Sequence, residues 1–70
     1  MEIQKVLGAK IKKIRSAANL SQEELAGRMG NEIDQAYVSR LEAGELNPTL
    51  LTLSRLSKAL NVKISELFSE

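Results

Sequence analysis

The chain has neither cysteine nor histidine among its 70 residues. Without cysteine, disulfides and thiolate metal sites are excluded, and without histidine the commonest general base and metal ligand is missing. No apolar run approaches the roughly 20 residues of a membrane span, and the N-terminal MEIQKVLGAK has no signal-peptide hydrophobic region. We therefore expect no catalytic residues, no metal, no cofactor and no membrane segment, in a cytoplasmic protein that is not an enzyme.

Aromatic residues are scarce, and only Tyr37 and Phe68 are present. Hydrophobic residues make up 43% of the chain, so leucine, isoleucine, valine and alanine must form the core. The length predicts a single domain over residues 1–70. A core of this size is only marginally stable, which favours help from oligomerisation.

Charge is nearly balanced, with a formal net charge of +1, but it is unevenly distributed. Residues 1–15 contain five basic residues against Glu2 alone, whereas residues 16–70 contain five basic and eight acidic ones. Any attraction to phosphate must come from one face of the molecule. The lysines near the N-terminus are equally consistent with an ordinary solvated face.

Residues 20–44 predict two short helices, at about 22–29 and 35–43, joined by a tight connection. Ser21 and Glu24 have the spacing of a capping box at the start of the first. Gly30 ends that helix because glycine reaches positive φ without steric cost. Asp34 is the expected cap of the second.

Apolar spacing predicts three more helices, at about 3–18, 50–60 and 64–68. Either Asn47 or Thr49 caps the fourth helix. Leu51 should be exposed, and Phe68 either plugs the core or belongs to a dimer surface. The predicted fold is all-α, a compact five-helix domain. The inward stripe of the first helix is Ile3, Leu7, Ile11, Ile14 and Ala18, and that of the fourth is Leu50, Leu53, Leu56, Ala59 and Leu60.

The helix at 35–43 has two different sides when its residues are placed at 100° steps. Val38 and Leu41 lie on the inner side, with Tyr37 at their flank. Glu42 points partly inward, and Arg15 borders the stripe of the first helix, so we expect these two to pair, because an unpaired charge there is costly. The outer side is small, polar and cationic, and consists of Gln35, Ala36, Ser39, Arg40 and Ala43.

The segments LSQEELAGRMG, QAYVSRLEAG and NPTLLTLSRLSKALNVKISELF resemble the Cro/repressor-type (Xre-like) helix-turn-helix family, over about residues 7–68. The resemblance implies a lambda-repressor-like domain that binds double-stranded DNA as a symmetric dimer, with its third helix in the major groove. By position, the resemblance assigns base contacts to Gln35, Ala36 and Arg40. It assigns backbone or flanking contacts to Gln22, Tyr37 and Ser39, and it assigns a structural ion pair to Arg15 and Glu42.

The chain departs from the family pattern in three places. The connection between the second and third helices is about two residues longer, Glu32 and Asp34 put negative charge near it, and Ala43 and Glu45 replace residues that often contact the DNA backbone. Because few phosphates would be neutralised, we expect modest non-specific affinity and a shallow dependence on salt.

The resulting hypothesis is a sequence-specific transcriptional regulator, repressor-like or similar to restriction–modification controllers, that binds a near-palindromic operator as a dimer and associates with the nucleoid. The alternative is an antitoxin or protein-interaction module that uses the same fold to bind a protein, such as a toxin or RNA polymerase. Leu51 and Phe68 would then supply an apolar patch.

Overall fold

The computed structural model describes residues 2–69, and these form helices without strands. The four α-helices are α1 (Glu2–Ala17), α2 (Gln22–Met29), α3 (Gln35–Glu42) and α4 (Leu50–Leu60). The all-α prediction is confirmed, but the fifth helix predicted at 64–68 is wrong. Ile64–Leu67 is a 3-10 turn, because its backbone bonds, from Glu66 to Lys63 and from Phe68 to Ser65, each span only three residues.

The helix ends use the local chemistry that the sequence predicts. Ser21 Oγ accepts from the Glu24 N–H at 3.0 Å, and the Glu24 carboxylate accepts from the Ser21 N–H at 2.8 Å, which completes the capping box. Asp34 caps α3 by accepting from the Tyr37 N–H at 2.9 Å. Thr49, not Asn47, caps α4. No helix within residues 2–69 is long and apolar enough to cross a membrane.

A single cluster of buried side chains connects the helices. Both α1 and α2 pack against α3, while α4 packs against α2 and the 3-10 turn. α3 is therefore held from two directions. The cluster consists of Leu7, Ile11, Leu20, Leu25, Ala26, Met29, Val38, Leu41, Leu56, Ala59, Leu60 and Leu67.

The predicted inward stripes are wrong at the first residue of each and at the last residue of the first. Ala18 is exposed because α1 ends one residue earlier, so Ala18 already lies in the turn that follows the helix. Leu50 is 74% exposed and Ile3 is 55% exposed. Leu53, one turn further along α4, is the first residue of that stripe to pack on the core. The first turn of α4 therefore extends beyond the core. Leu51 is exposed as predicted.

The base of the core is closed by Leu67, not by Phe68. Leu67 is fully buried, whereas Phe68 is 39% exposed. Phe68 instead lines a shallow apolar groove together with Ile3, Leu53 and Pro48. The interpretation of Phe68 as the plug of the core is therefore wrong.

Candidate nucleic-acid interface

The candidate interface is the outer side of α3. Val38 and Leu41, on the inner side, are fully buried. Gln35, Ala36 and Arg40, which the sequence predicts to contact bases, are all exposed, and Tyr37 and Ser39 are half-buried at the flanks. The helix thus presents its polar side to solvent while its apolar side is covered.

The C-terminal end of α3, called its inner end below, lies directly against α1. A Cβ atom at Gly8 would be 2.5 Å from the Glu42 carbonyl oxygen and 2.6 Å from that of Leu41. No side chain fits between these two backbones, so glycine allows α1 and α3 to pack this closely. This contact sets the distance of α3 from the rest of the molecule.

A buried ion pair joins the same two helices. Arg15 Nε lies 2.6 Å from Glu42 Oε2, and Arg15 Nη2 lies 3.2 Å from Glu42 Oε1. Arg15 Nη1 also donates to the Leu20 carbonyl at 2.6 Å. Only 12% of the arginine side chain and 4% of the glutamate side chain are exposed. The pair is bidentate and the third guanidinium nitrogen also donates a hydrogen bond, and such bonds are what a buried charge requires.

Hydrogen bonds continue from this ion pair to the surface. The Gln22 amide donates to Glu42 Oε1 at 3.0 Å, and its oxygen accepts from the Gln35 amide at 2.6 Å. Gln35 at the start of α3 is therefore connected through Gln22 to a buried carboxylate. The structure brings together four of the residues that the sequence singles out, namely Arg15, Glu42, Gln22 and Gln35.

Within residues 2–69 the structure also contains two surface ion pairs that were not predicted from the sequence. Arg40 Nε lies 3.5 Å from Glu45 Oε1, and both side chains are about 60% exposed. Glu32, in the connection between α2 and α3, pairs with Arg55 of α4. The pair of Arg40 and Glu45 could have been predicted from the local sequence, because a glycine that ends a helix, here Gly44, turns the next residue back over the last helical turn. The second joins residues 23 positions apart, and no local pattern indicates it.

The electrostatics of the candidate interface are mixed. Glu45 offsets the charge of Arg40, and Glu32 and Asp34 are exposed on the connection before α3. At the start of α2, the Ser21 N–H and hydroxyl hold the pKa of the Glu24 carboxyl below its usual range. Residues 2–69 contain no cluster of acidic side chains able to hold a metal ion.

The model of the helix-turn-helix family matches residues 11–67. The chain belongs to the helix-turn-helix family. The resemblance to its Cro/repressor-type members is thereby confirmed, and in family terms α2 and α3 are the two helices of the motif. The matched span contains every proposed contact residue.

Related sequences and structures agree with this membership. An uncharacterised HTH-type transcriptional regulator, y4dJ of Sinorhizobium fredii, is 40% identical over 96% of this chain and 84% of its own length. The control protein C.MunI of a Mycoplasma species is 39% identical over 90% of this chain and 84% of its own length. The crystal structure of the restriction-modification controller protein C.AhdI from Aeromonas hydrophila superposes with a TM-score of 0.90 at 32% identity, over 97% of this chain and 100% of that one. These relatives are named as regulators, not as enzymes.

Proposed function

We propose that this protein is a transcriptional regulator that binds double-stranded DNA by inserting α3 into the major groove, while α2 crosses the backbone. The observation that carries the proposal is the exposure of Gln35, Ala36 and Arg40 on a helix whose opposite side is fully buried. Membership of the helix-turn-helix family and the similarity to control proteins support it.

Each exposed side chain has a defined role in this proposal. Gln35 donates to adenine N7 and accepts from N6, and Arg40 donates to guanine O6 and N7. Ala36 offers a methyl contact, as to thymine. Gln22 contacts a phosphate and braces Gln35, and its 2.6 Å bond to Gln35 supports the second of these roles. Tyr37 and Ser39, at the flanks of the helix, contact the DNA backbone or flank the bases.

The functional unit in this proposal is a homodimer. Two copies would place two α3 helices in half-sites about one helical turn apart, so the operator is a near-palindrome. Leu50 and Leu51, 74% and 63% exposed at the start of α4, support an association between copies. The similarity to C.AhdI, which is named as a restriction-modification controller, favours that biological system over a prophage repressor. We place the protein in the cytoplasm, associated with the nucleoid.

Selection from random duplex sequences with the purified protein tests this function. The expected result is a two-fold symmetric motif with half-sites about one turn apart. Failure to enrich any sequence would contradict the proposal. The variant Arg40→Ala should lose roughly 1–3 kcal/mol of discrimination at one base position. Lys58→Ala, which removes a cation from the last turn of α4, is the matched control and should leave the motif unchanged.

A protein-interaction role, as an antitoxin or as a partner of RNA polymerase, is the second candidate. The acidic residues Glu32, Asp34 and Glu45 around α3 favour it, because they would repel phosphate. A salt titration separates the two candidates. Affinity for DNA should fall as salt rises, whereas an apolar protein contact through Leu51 and Phe68, which are both exposed, should change little.

A further inference from the structure

We propose that Glu45 is a positioning residue for Arg40: it holds the arginine in an end-on orientation and thereby restricts it to base recognition. The inference rests on the proposed DNA-binding function and adds a specificity-determining residue that is not itself a base contact. Three observations carry it, concerning the backbone at the end of α3, the guanidinium atom that Glu45 engages, and the charge that Glu45 brings to this surface.

The backbone fixes Glu45 over the last turn of α3. Gly44 has a φ of 78°, its N–H donates to the Leu41 carbonyl at 3.2 Å, and the Glu45 N–H donates to the Arg40 carbonyl at 3.1 Å. This pair of bonds is a Schellman motif, which folds the chain back at a left-handed glycine. Lys5 packs against Gly44 so closely that a Cβ there would lie 2.7 Å from its Cγ. Glu45 is therefore placed next to Arg40 by main-chain bonds, not only by mutual attraction.

The carboxylate engages one particular atom of the arginine. Glu45 Oε1 lies 3.5 Å from Arg40 Nε, and within residues 2–69 no other acidic side chain pairs with Arg40. The terminal Nη1 and Nη2 groups remain available. These two nitrogens form a fork that matches guanine O6 and N7. With the Glu45 carboxylate on the Nε side, charge attraction favours an orientation of the arginine that leaves this end for a base.

The negative charge of Glu45 also discourages a competing use of the arginine. An exposed arginine at the end of a helix in the groove can swing to a phosphate, a contact that carries no sequence information. Both side chains of the pair are about 60% exposed, so the pair is weak in energy. Its effect is on orientation and on affinity for non-specific DNA. We expect Glu45 to lower non-specific binding more than it lowers specific binding.

The test compares Glu45→Gln with wild type on an operator obtained by selection and on a scrambled duplex, over a range of salt concentrations. In Glu45→Gln, Arg40 is free to reach a phosphate on non-specific DNA. The slope of log affinity against log salt for the scrambled duplex should then steepen by about one. The ratio of specific to non-specific affinity should fall about threefold to tenfold, a part of the roughly 5- to 150-fold discrimination of a full bidentate pair.

Two controls make the result specific. Glu23→Gln removes one negative charge beside Gln22 without touching Arg40, so it should raise both affinities equally and leave the ratio and the slope as they are. In the Arg40→Ala background, Glu45→Gln should no longer change the ratio or the slope. If Glu45→Gln behaves like Glu23→Gln, or keeps its effect without Arg40, the inference is wrong. If wild type enriches no sequence, the proposed DNA-binding function itself fails.

Discussion

The C-terminal end of α3, which packs against α1, and the exposed side of the same helix lie close together, yet different kinds of contact stabilise them. At the inner end, Gly8 brings two backbones together, and the Glu42 carboxylate is 4% exposed beside Arg15. On the outer side, Arg40 is 62% exposed, and its one ion-pair partner within residues 2–69 is the exposed Glu45. The contacts with α1 consist of close backbone packing and a buried ion pair. The contact on the exposed side is a weak surface ion pair. In the proposed function, stability and DNA recognition are therefore assigned to different residues of one helix.

This division has a physical reason. α3 has eight residues, and a helix this short is not stable on its own in water. Its inner side must supply the stabilisation that allows the outer side to stay polar and uncovered. Substitutions at the inner end should therefore change the free energy of unfolding, and substitutions on the outer side should change binding alone.

The largest effect is expected from Gly8→Ala. The new methyl group would collide with the Leu41 and Glu42 carbonyl oxygens, at 2.6 and 2.5 Å, and backbone atoms cannot move aside as a side chain does. We expect a loss of about 3 kcal/mol or more in the free energy of unfolding. Urea titration followed by circular dichroism measures it. Wild-type stability in Gly8→Ala would mean that α1 and α3 are not packed this closely.

A smaller loss is expected from Glu42→Gln. The amide keeps part of the hydrogen bonding but leaves Arg15 as an uncompensated, largely buried cation. Removing one partner of a buried pair costs about 3–5 kcal/mol, and because the amide retains some bonds we expect about 2 kcal/mol.

The double variant Arg15→Gln/Glu42→Gln is the control for this pair. It has no buried charge, so it should lose less stability than the two single variants added together. Unchanged stability in Glu42→Gln would show that the pair does not hold α3 in place.

Gly27→Ala should raise the free energy of unfolding, by less than Gly8→Ala or Glu42→Gln lowers it. Gly27 lies within α2, and a Cβ there would have no atom within 4 Å. Alanine lowers the conformational freedom of the unfolded chain without any collision, so the protein should gain about 0.5–1 kcal/mol. The same urea titration measures it. Gly8→Ala and Gly27→Ala make the same chemical change in two helices, and a loss of stability in both would contradict the distinction between packed and open positions.

The sequence predicted those features that local chemistry determines. The caps at Ser21 and Asp34 depend on neighbours within four positions. The contact between Arg15 and Glu42 was also expected, since both residues border the apolar sides of their helices.

The sequence could not show where the core ends. Helical phase gives the side on which Leu50 lies, but not whether the core extends that far along α4. The pair of Glu32 and Arg55 depends on how α4 packs against the connection after α2, which no local pattern fixes. The pair of Arg40 and Glu45 was missed for another reason. It depends on the left-handed turn at Gly44, which places Glu45 over the last turn of α3, and charge spacing alone does not show this turn.

The smallest effect is expected at the capping box of α2, on the solvent side of the molecule. The Ser21 N–H and hydroxyl favour the charged form of Glu24 and lower its pKa below the ordinary glutamate value of 4.5. A lowered pKa in the folded state contributes stability that is present above 4.5 and is lost as the pH falls through the folded value. Glutamine can also complete a capping box, so Glu24→Gln isolates the effect of the charge.

Wild type should be more stable than Glu24→Gln above the ordinary glutamate value of 4.5, and the difference should shrink and disappear as the pH falls through the lowered pKa of Glu24. Urea midpoints measured across this range check the prediction. Glu23→Gln is the matched control, because it removes a neighbouring charge from the same end of the helix dipole but leaves the box intact. A difference that is independent of pH would mean that the Glu24 carboxylate and Ser21 are not bonded in solution. The capping box would then be absent, although the rest of the motif would be unaffected.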